Sequence, residues 1–139
     1  MVVSMPAQRR KARILVSDST KNTREAVTEI FSEAGYSVSS ASSGSETIER
    51  LTKETYDLIV CDIDGPRASG LEIVRMAKAL NQKARIVVVS SLSGVASRSR
   101  IKKEGAFELL EKPLRKAVLL DTAREALKRK PAKKKQEVS

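Results

Sequence analysis

The chain has 139 residues, enough for one ordinary domain and too few for two; 40% are hydrophobic and 32% charged, so it can bury a core, and with 3% aromatics and no Trp that core is aliphatic. The absence of His excludes a Ser-His-Asp triad, a His-ligated metal and a phosphohistidine on this chain, and the single Cys61 excludes an internal disulfide and a multi-Cys zinc site. The net charge of +10 is concentrated at the ends: residues 1–13 carry +4, residues 128–139 carry +5, and only +1 remains for residues 14–127.

The elements alternate along the chain. Arg13-Ile14-Leu15-Val16-Ser17 is an apolar run that reads as a buried strand ending before Asp18. Thr20 or Ser19 caps a helix over 20–34, with Val27, Ile30, Phe31 and Ala34 at helical spacing and Gly35 as its stop. Tyr36 to Ala41 alternates and reads as an edge strand, and Glu46 to Lys53 as a short amphipathic helix through Ile48 and Leu51. Asp57 to Cys61 is the strongest central strand, and Asp62-Ile63-Asp64-Gly65-Pro66 follows it as a loop. Gly70 to Leu80 reads as a helix with Leu71, Val74, Ala77 and Leu80 on one stripe, and Arg85 to Val89 as a fourth strand, followed by Ser90 and Ser91. Val95 to Lys103 is a weaker helix closed by Gly105, and Ala106 to Leu110 a short fifth strand before Lys112-Pro113. Leu114 to Leu127 is the last helix, with Leu120, Ala123 and Leu127 inward.

Five strands alternating with five helices, the central strands continuous apolar runs, predict a parallel sheet covered on both faces. Right-handed crossovers make it a doubly wound α/β sandwich, whose functional crevice lies beyond the carboxyl ends of the strands. Those ends carry Asp18, Asp62, Asp64, Ser90 and Lys112. Carboxylate oxygens around an open position suit Mg²⁺. A lysine and a hydroxyl absorb charge on a phosphoryl group, so the set fits acyl-phosphate chemistry with an Asp as nucleophile. Singly, each of these residues is also ordinary turn chemistry.

The stretches "RILVSDS", "YDLIVCDIDGP", "SGLEI", "RIVVVSS" and "EGAFELLEKPL" together resemble the response-regulator receiver family of two-component signalling, over about residues 12–128. The resemblance implies a CheY-like, flavodoxin-like sheet of strand order 2-1-3-4-5. It implies that Asp62 is the phosphoacceptor, that Ser90 and Lys112 contact the phosphoryl group, and that the Lys112–Pro113 bond is cis. It also implies that Asp18, Asp62 and Asp64 bind Mg²⁺, Asp64 through its backbone carbonyl or its side chain. Four positions depart from the pattern, one of them Ser69, where an Asp before the Gly-Leu is usual. Ser19 stands where the second acidic residue is usual, which weakens Mg²⁺. Gly65 replaces the family's Met. Leu109 replaces the inward-swinging aromatic of the fifth strand, which alters the readout.

On this reading the chain is a single-domain bacterial, cytoplasmic response regulator: a basic tail over 1–11, a receiver domain over 12–128 and a basic disordered tail over 129–139. It has no membrane span and no signal peptide. It takes a phosphoryl group from a histidine kinase or phosphotransfer protein and changes its affinity for a partner protein, or for a second copy of itself, through the face made by helix 4, strand 5 and helix 5. It is a switch in a phosphorelay, not an enzyme by purpose. The basic ends can bind nucleic acid, but no aromatic residue interleaves their charges, which favours a solvated tail. Two other readings stand beside it. "DLIVCDIDG" also matches the first motif of haloacid-dehalogenase-type phosphatases, with Asp62 as nucleophile and Asp64 as general acid. A pseudo-receiver would keep the fold and bind partners without phosphate, as Ser19 and Leu109 suit.

Overall fold

The computed structural model describes residues 10–64, 70–91 and 95–128, with residues 70 and 95–97 by backbone alone. Most of the expected N-terminal tail, the expected C-terminal tail over 129–139, and Gly65, Pro66 and Ser69 lie outside these residues. The strands are β1 (Arg13–Ser17), β2 (Ser37–Ala41), β3 (Leu58–Asp62), β4 (Arg85–Ser90) and β5 (Glu108–Glu111). The helices are α1 (Lys21–Glu33), α2 (Gly44–Lys53), α3 (Gly70–Leu80), α4 (Val95–Lys103) and α5 (Lys116–Lys128). All strand pairs are parallel, as the apolar pattern predicts, and the order is β2-β1-β3-β4-β5, as the family resemblance implies.

Strand alternation sorts the apolar residues onto two faces. Ile14, Val16, Leu58, Val60, Val87 and Val89 pack with Val27 and Phe31 of α1 and Leu119, Ala123 and Ala126 of α5. Leu15, Ile59, Cys61, Ile86, Val88 and Leu109 pack with Leu51 of α2, Val74 and Ala77 of α3, and Ile101 of α4. Each fully buried Leu, Ile, Val or Phe among them contributes about 1.5–3 kcal/mol of transfer free energy. Cys61 lies wholly in this core, where burial pushes its thiol up to about 12.

Several boundaries shift for local reasons. The second helix begins at Gly44, two residues early, because Ser43 is its cap: the Ser43 hydroxyl accepts the Glu46 N–H at 3.1 Å, while Glu46 accepts from the Ser42 N–H at 2.7 Å. A Cβ on Gly44 would stand 2.8 Å from Ile73 Cδ1, so α2 and α3 approach closely there. Thr20 is the α1 cap by position, but its side chain makes no capping bond. The last strand starts at Glu108 rather than Ala106, because Gly105 (φ 115°) and Ala106 turn back onto α4, with Ala106 N–H donating to Ile101 O. The last helix starts at Lys116, so Leu119 and Ala126 fill the core with Ala123, while Leu120 and Leu127 are only partly buried against it. Ala34 and Leu80, expected on inward stripes, are exposed.

Candidate functional site

The parallel registers bring the strand ends together. Ser17 pairs with Cys61 across β1 and β3, so Asp18 and Asp62 leave the sheet side by side. Asp62 pairs with Val89, one residue before Ser90, and Ser90 pairs with Glu111, one residue before Lys112. Backbone bonds extend the ladder past its ends: Asp18 N–H to Ala41 O, Ile63 N–H to Val89 O, and Lys112 N–H to Ser90 O, each 3.0–3.1 Å. The Lys112–Pro113 bond is cis.

The Asp62 carboxylate is 7% exposed and receives Lys112 Nζ on Oδ2 at 2.7 Å. Its Oδ1 accepts the Asp64 N–H at 2.8 Å, folding the loop back over the site. Asp64 therefore reaches across to β4. Its Oδ1 accepts the Ser90 hydroxyl at 2.8 Å, its Oδ2 accepts the Ser91 N–H at 2.7 Å, and the same Oδ2 lies 3.3 Å from Lys112 Nζ. Desolvation opposes ionisation of Asp64, but the Ser91 N–H, the Ser90 hydroxyl and Lys112 outweigh it and hold the carboxyl below its ordinary range. Lys112 also loses solvent, yet its two carboxylates raise its ammonium above the usual value.

Asp18 is buried at the end of β1, with Oδ1 accepting the Thr20 N–H at 2.8 Å. Burial is the main force raising its carboxyl above the ordinary value, and the Asp62 charge adds to it; the Thr20 N–H, Lys112 and Arg24 pull the other way. Arg24 also ties α1 to the site by donating to the Asp18 carbonyl at 2.8 Å. Ser19, beside it, is exposed.

The five residues singled out in the sequence thus converge. Ser91, which follows the strand-end hydroxyl, joins them by donating its N–H to Asp64 Oδ2. One feature has no signal in the sequence. Beneath the site, the Ser17 and Thr47 hydroxyls form a buried pair 2.7 Å apart, linking β1 to α2; nothing in either segment signals the other. Hard oxygens from Asp18, Asp62 and the backbone of residue 64 suit a divalent cation, and the crowded Asp18 and Asp62 charges are what such a cation relieves. Asp64's side chain is turned instead to Ser90, Ser91 and Lys112, and the described residues contain no cluster of three or more acidic, Cys or His groups arranged to hold a metal. Two strand–helix units precede β3, so the phosphatase reading of "DIDG", in which that strand begins the fold, fails on topology.

Beside the site, α1 and the segment after β5 border an open cleft of about 630 Å³, lined by Asn22, Thr23, Ala26, Pro113 and Leu114 among others. On the opposite side, Arg98 of α4 pairs with Glu108 and donates to the Leu109 carbonyl at 2.8 Å. Leu109 itself is 1% exposed. No helix of the described residues is long and apolar enough to cross a membrane.

Comparison with known proteins points the same way. The family model described as response regulator receiver domain matches residues 14–124. The response regulator MprA of Mycobacterium leprae is 32% identical over 117 residues, which cover 84% of this chain and 51% of that protein, so the chain spans about half the length of this relative. Sporulation initiation phosphotransferase F of Bacillus subtilis is 26% identical over 117 residues, covering 84% of this chain and 91% of that one. Among solved structures, the chemotaxis protein CheY4 of Vibrio cholerae superposes with a TM-score of 0.79 at 26% identity, covering 85% of this chain and 100% of that one.

Proposed function

The chain belongs to the response regulator receiver domain family, and on that premise we propose that it is a phosphorylation switch whose acceptor is Asp62. The observation that carries this reading is the Asp62–Lys112 contact at 2.7 Å, set beside a Ser90 hydroxyl and a Ser91 N–H that converge on one anion position. An Asp62 carboxylate oxygen attacks the phosphorus of a phosphohistidine on a partner. The O–P bond forms as the P–N bond breaks, and the imidazole of the donor leaves. Lys112, the Ser90 hydroxyl and the Ser91 N–H neutralise charge on the phosphoryl oxygens. Asp18, Asp62 and the backbone of residue 64 are the groups to hold Mg²⁺, which when bound supplies a Lewis acid for the phosphoryl oxygens. Ser19 gives that cation no carboxylate, so its binding is weak.

The cleft beside α1 and the Pro113–Leu114 segment suits docking of a histidine kinase or phosphotransfer protein, because it opens next to Lys112. The output is a changed affinity for a protein partner on the α4–β5–α5 face, where Arg98 couples α4 to the Leu109 carbonyl. With Leu109 in place of an aromatic, the readout runs through α4 and that carbonyl rather than through a ring that swings between surface and core. The chain acts as a switch rather than an enzyme, and its place of action is the cytoplasm, where its phosphodonors reside. The test is acetyl phosphate with Mg²⁺, read by intact mass on the wild type and on Asp62→Ala. One phosphoryl group gained by the wild type alone is expected. No gain, or equal gain in both, contradicts the proposal.

A further inference from the structure

The three donors that a phosphoryl group on Asp62 requires are already engaged. Ser90 donates its hydroxyl to Asp64 Oδ1, and Ser91 its N–H to Asp64 Oδ2. Lys112 divides its ammonium between Asp62 at 2.7 Å and Asp64 at 3.3 Å. A hydroxyl and a backbone amide each have a single proton to give. Asp64 and a phosphoryl group therefore cannot both be served by them.

The arrangement is built into the backbone. The Asp64 N–H donates to Asp62 Oδ1, and this short turn aims the Asp64 side chain at β4. Ser90 is fully buried, so its bond anchors the more exposed Asp64 carboxylate to the end of β4. At the other end of this side of the sheet, Leu109 is already packed in the core with Val88, its strand neighbour.

We propose that Asp64 is an internal stand-in for the phosphoryl group. Its carboxylate occupies the Ser90–Ser91–Lys112 cradle in the unphosphorylated chain, holds the end of β4 in its anion-bound arrangement, and is displaced when Asp62 is phosphorylated. This deepens the reading of Asp62 as acceptor and, for the displacement, rests on it. Two consequences follow. Phosphorylation exchanges one anion for another, so it changes the β4 end less than filling an empty cradle does. Asp64 also competes with the incoming group and slows its transfer.

The test compares the full chain with Asp64→Ala, and with Asp64→Asn as a variant that keeps the side-chain shape. The first readout is the Ser91 amide signal in a ¹⁵N correlation spectrum without phosphodonor. It is expected to move in Asp64→Ala and to return toward the wild-type position when Asp62 of that variant is phosphorylated. The second is the rate at which an Asp62 oxygen takes phosphorus from acetyl phosphate with release of acetate, followed by intact mass. Removing a charge-assisted competitor is expected to raise it about tenfold or more in Asp64→Ala, with Asp64→Asn between. An unmoved Ser91 amide, or equal rates in the folded variants and the wild type, overturns the proposal. If no variant is phosphorylated but the Ser91 amide moves, the cradle is occupied by Asp64 as proposed, and it is the acceptor role of Asp62 that falls.

Discussion

Leu109 stands where the receiver family's switch aromatic is usual, and its replacement by Ala measures how firmly that position is locked into the core. The residue is 1% exposed, pairs with Val88 across β4 and β5, and shares a core cluster with Ile86, Ile101 and Ala106. Truncation of a buried Leu costs about 2–5 kcal/mol, the spread reflecting how far the surroundings collapse. Collapse is hindered here. Arg98 holds the Leu109 carbonyl, and Arg98 and Lys102 both pair with Glu108, so β5 and α4 are tied across the cavity. Ala106 is too small to fill it. The expected loss is therefore in the upper half of that range, about 3–5 kcal/mol, against a total stability of about 5–15 kcal/mol for a domain. A loss of this size lowers Tm by about 10 °C or more at this chain length. Urea unfolding followed by far-ultraviolet circular dichroism measures it, since the chain has no Trp to report by fluorescence. Val118→Ala, at a 38% exposed position on α5, is the control and is expected to change stability by less than about 0.5 kcal/mol. A Leu109→Ala loss below about 1 kcal/mol, or one equal to the control, refutes the packing argument.

Two further predictions concern the acidic corner. Burial raises the Asp18 carboxyl above its ordinary value of 3.8, so the folded state holds that proton more tightly than the unfolded chain does. The resulting penalty is absent below pH 3.8, grows as pH rises toward the folded value, and is complete above it. In EDTA, Asp18→Asn is therefore more stable than the wild type at neutral pH, with the gap closing in acid; a variant no more stable at neutral pH contradicts this. Ser19→Asp adds a carboxylate beside Asp18 and is expected to tighten Mg²⁺ binding in a calorimetric titration, whereas an unchanged affinity shows that other groups already complete the site.

Much of the architecture was legible because it rests on local pattern. Leu58 to Cys61 and Ile86 to Val89 are continuous apolar runs of strand length, and only a two-sided parallel sheet buries them. The proximity of Asp18, Asp62, Ser90 and Lys112 was legible because parallel topology puts every strand's carboxyl end on one edge. What escaped depends on distances that no local pattern encodes. The inner stripe of α5 moved to Leu119 and Ala126 because the helix begins two residues later than its apolar spacing suggests. The Ser17–Thr47 pair joins two small hydroxyls thirty residues apart. The direction of the Asp64 side chain is a further case: its turn onto Asp62 carries the carboxylate to β4, and that turn depends on the Asp64 N–H, which residue identity does not reveal.

The central claim is that Asp62, and no other carboxylate of this crowded corner, accepts the phosphoryl group. An acyl phosphate can be trapped by borohydride, which reduces the phosphorylated side chain to an alcohol at the residue that carried it. The full chain treated with acetyl phosphate and Mg²⁺, reduced, digested and sequenced by mass spectrometry is predicted to carry homoserine at position 62 alone. Homoserine at position 18 or 64, or none at all, would contradict the account.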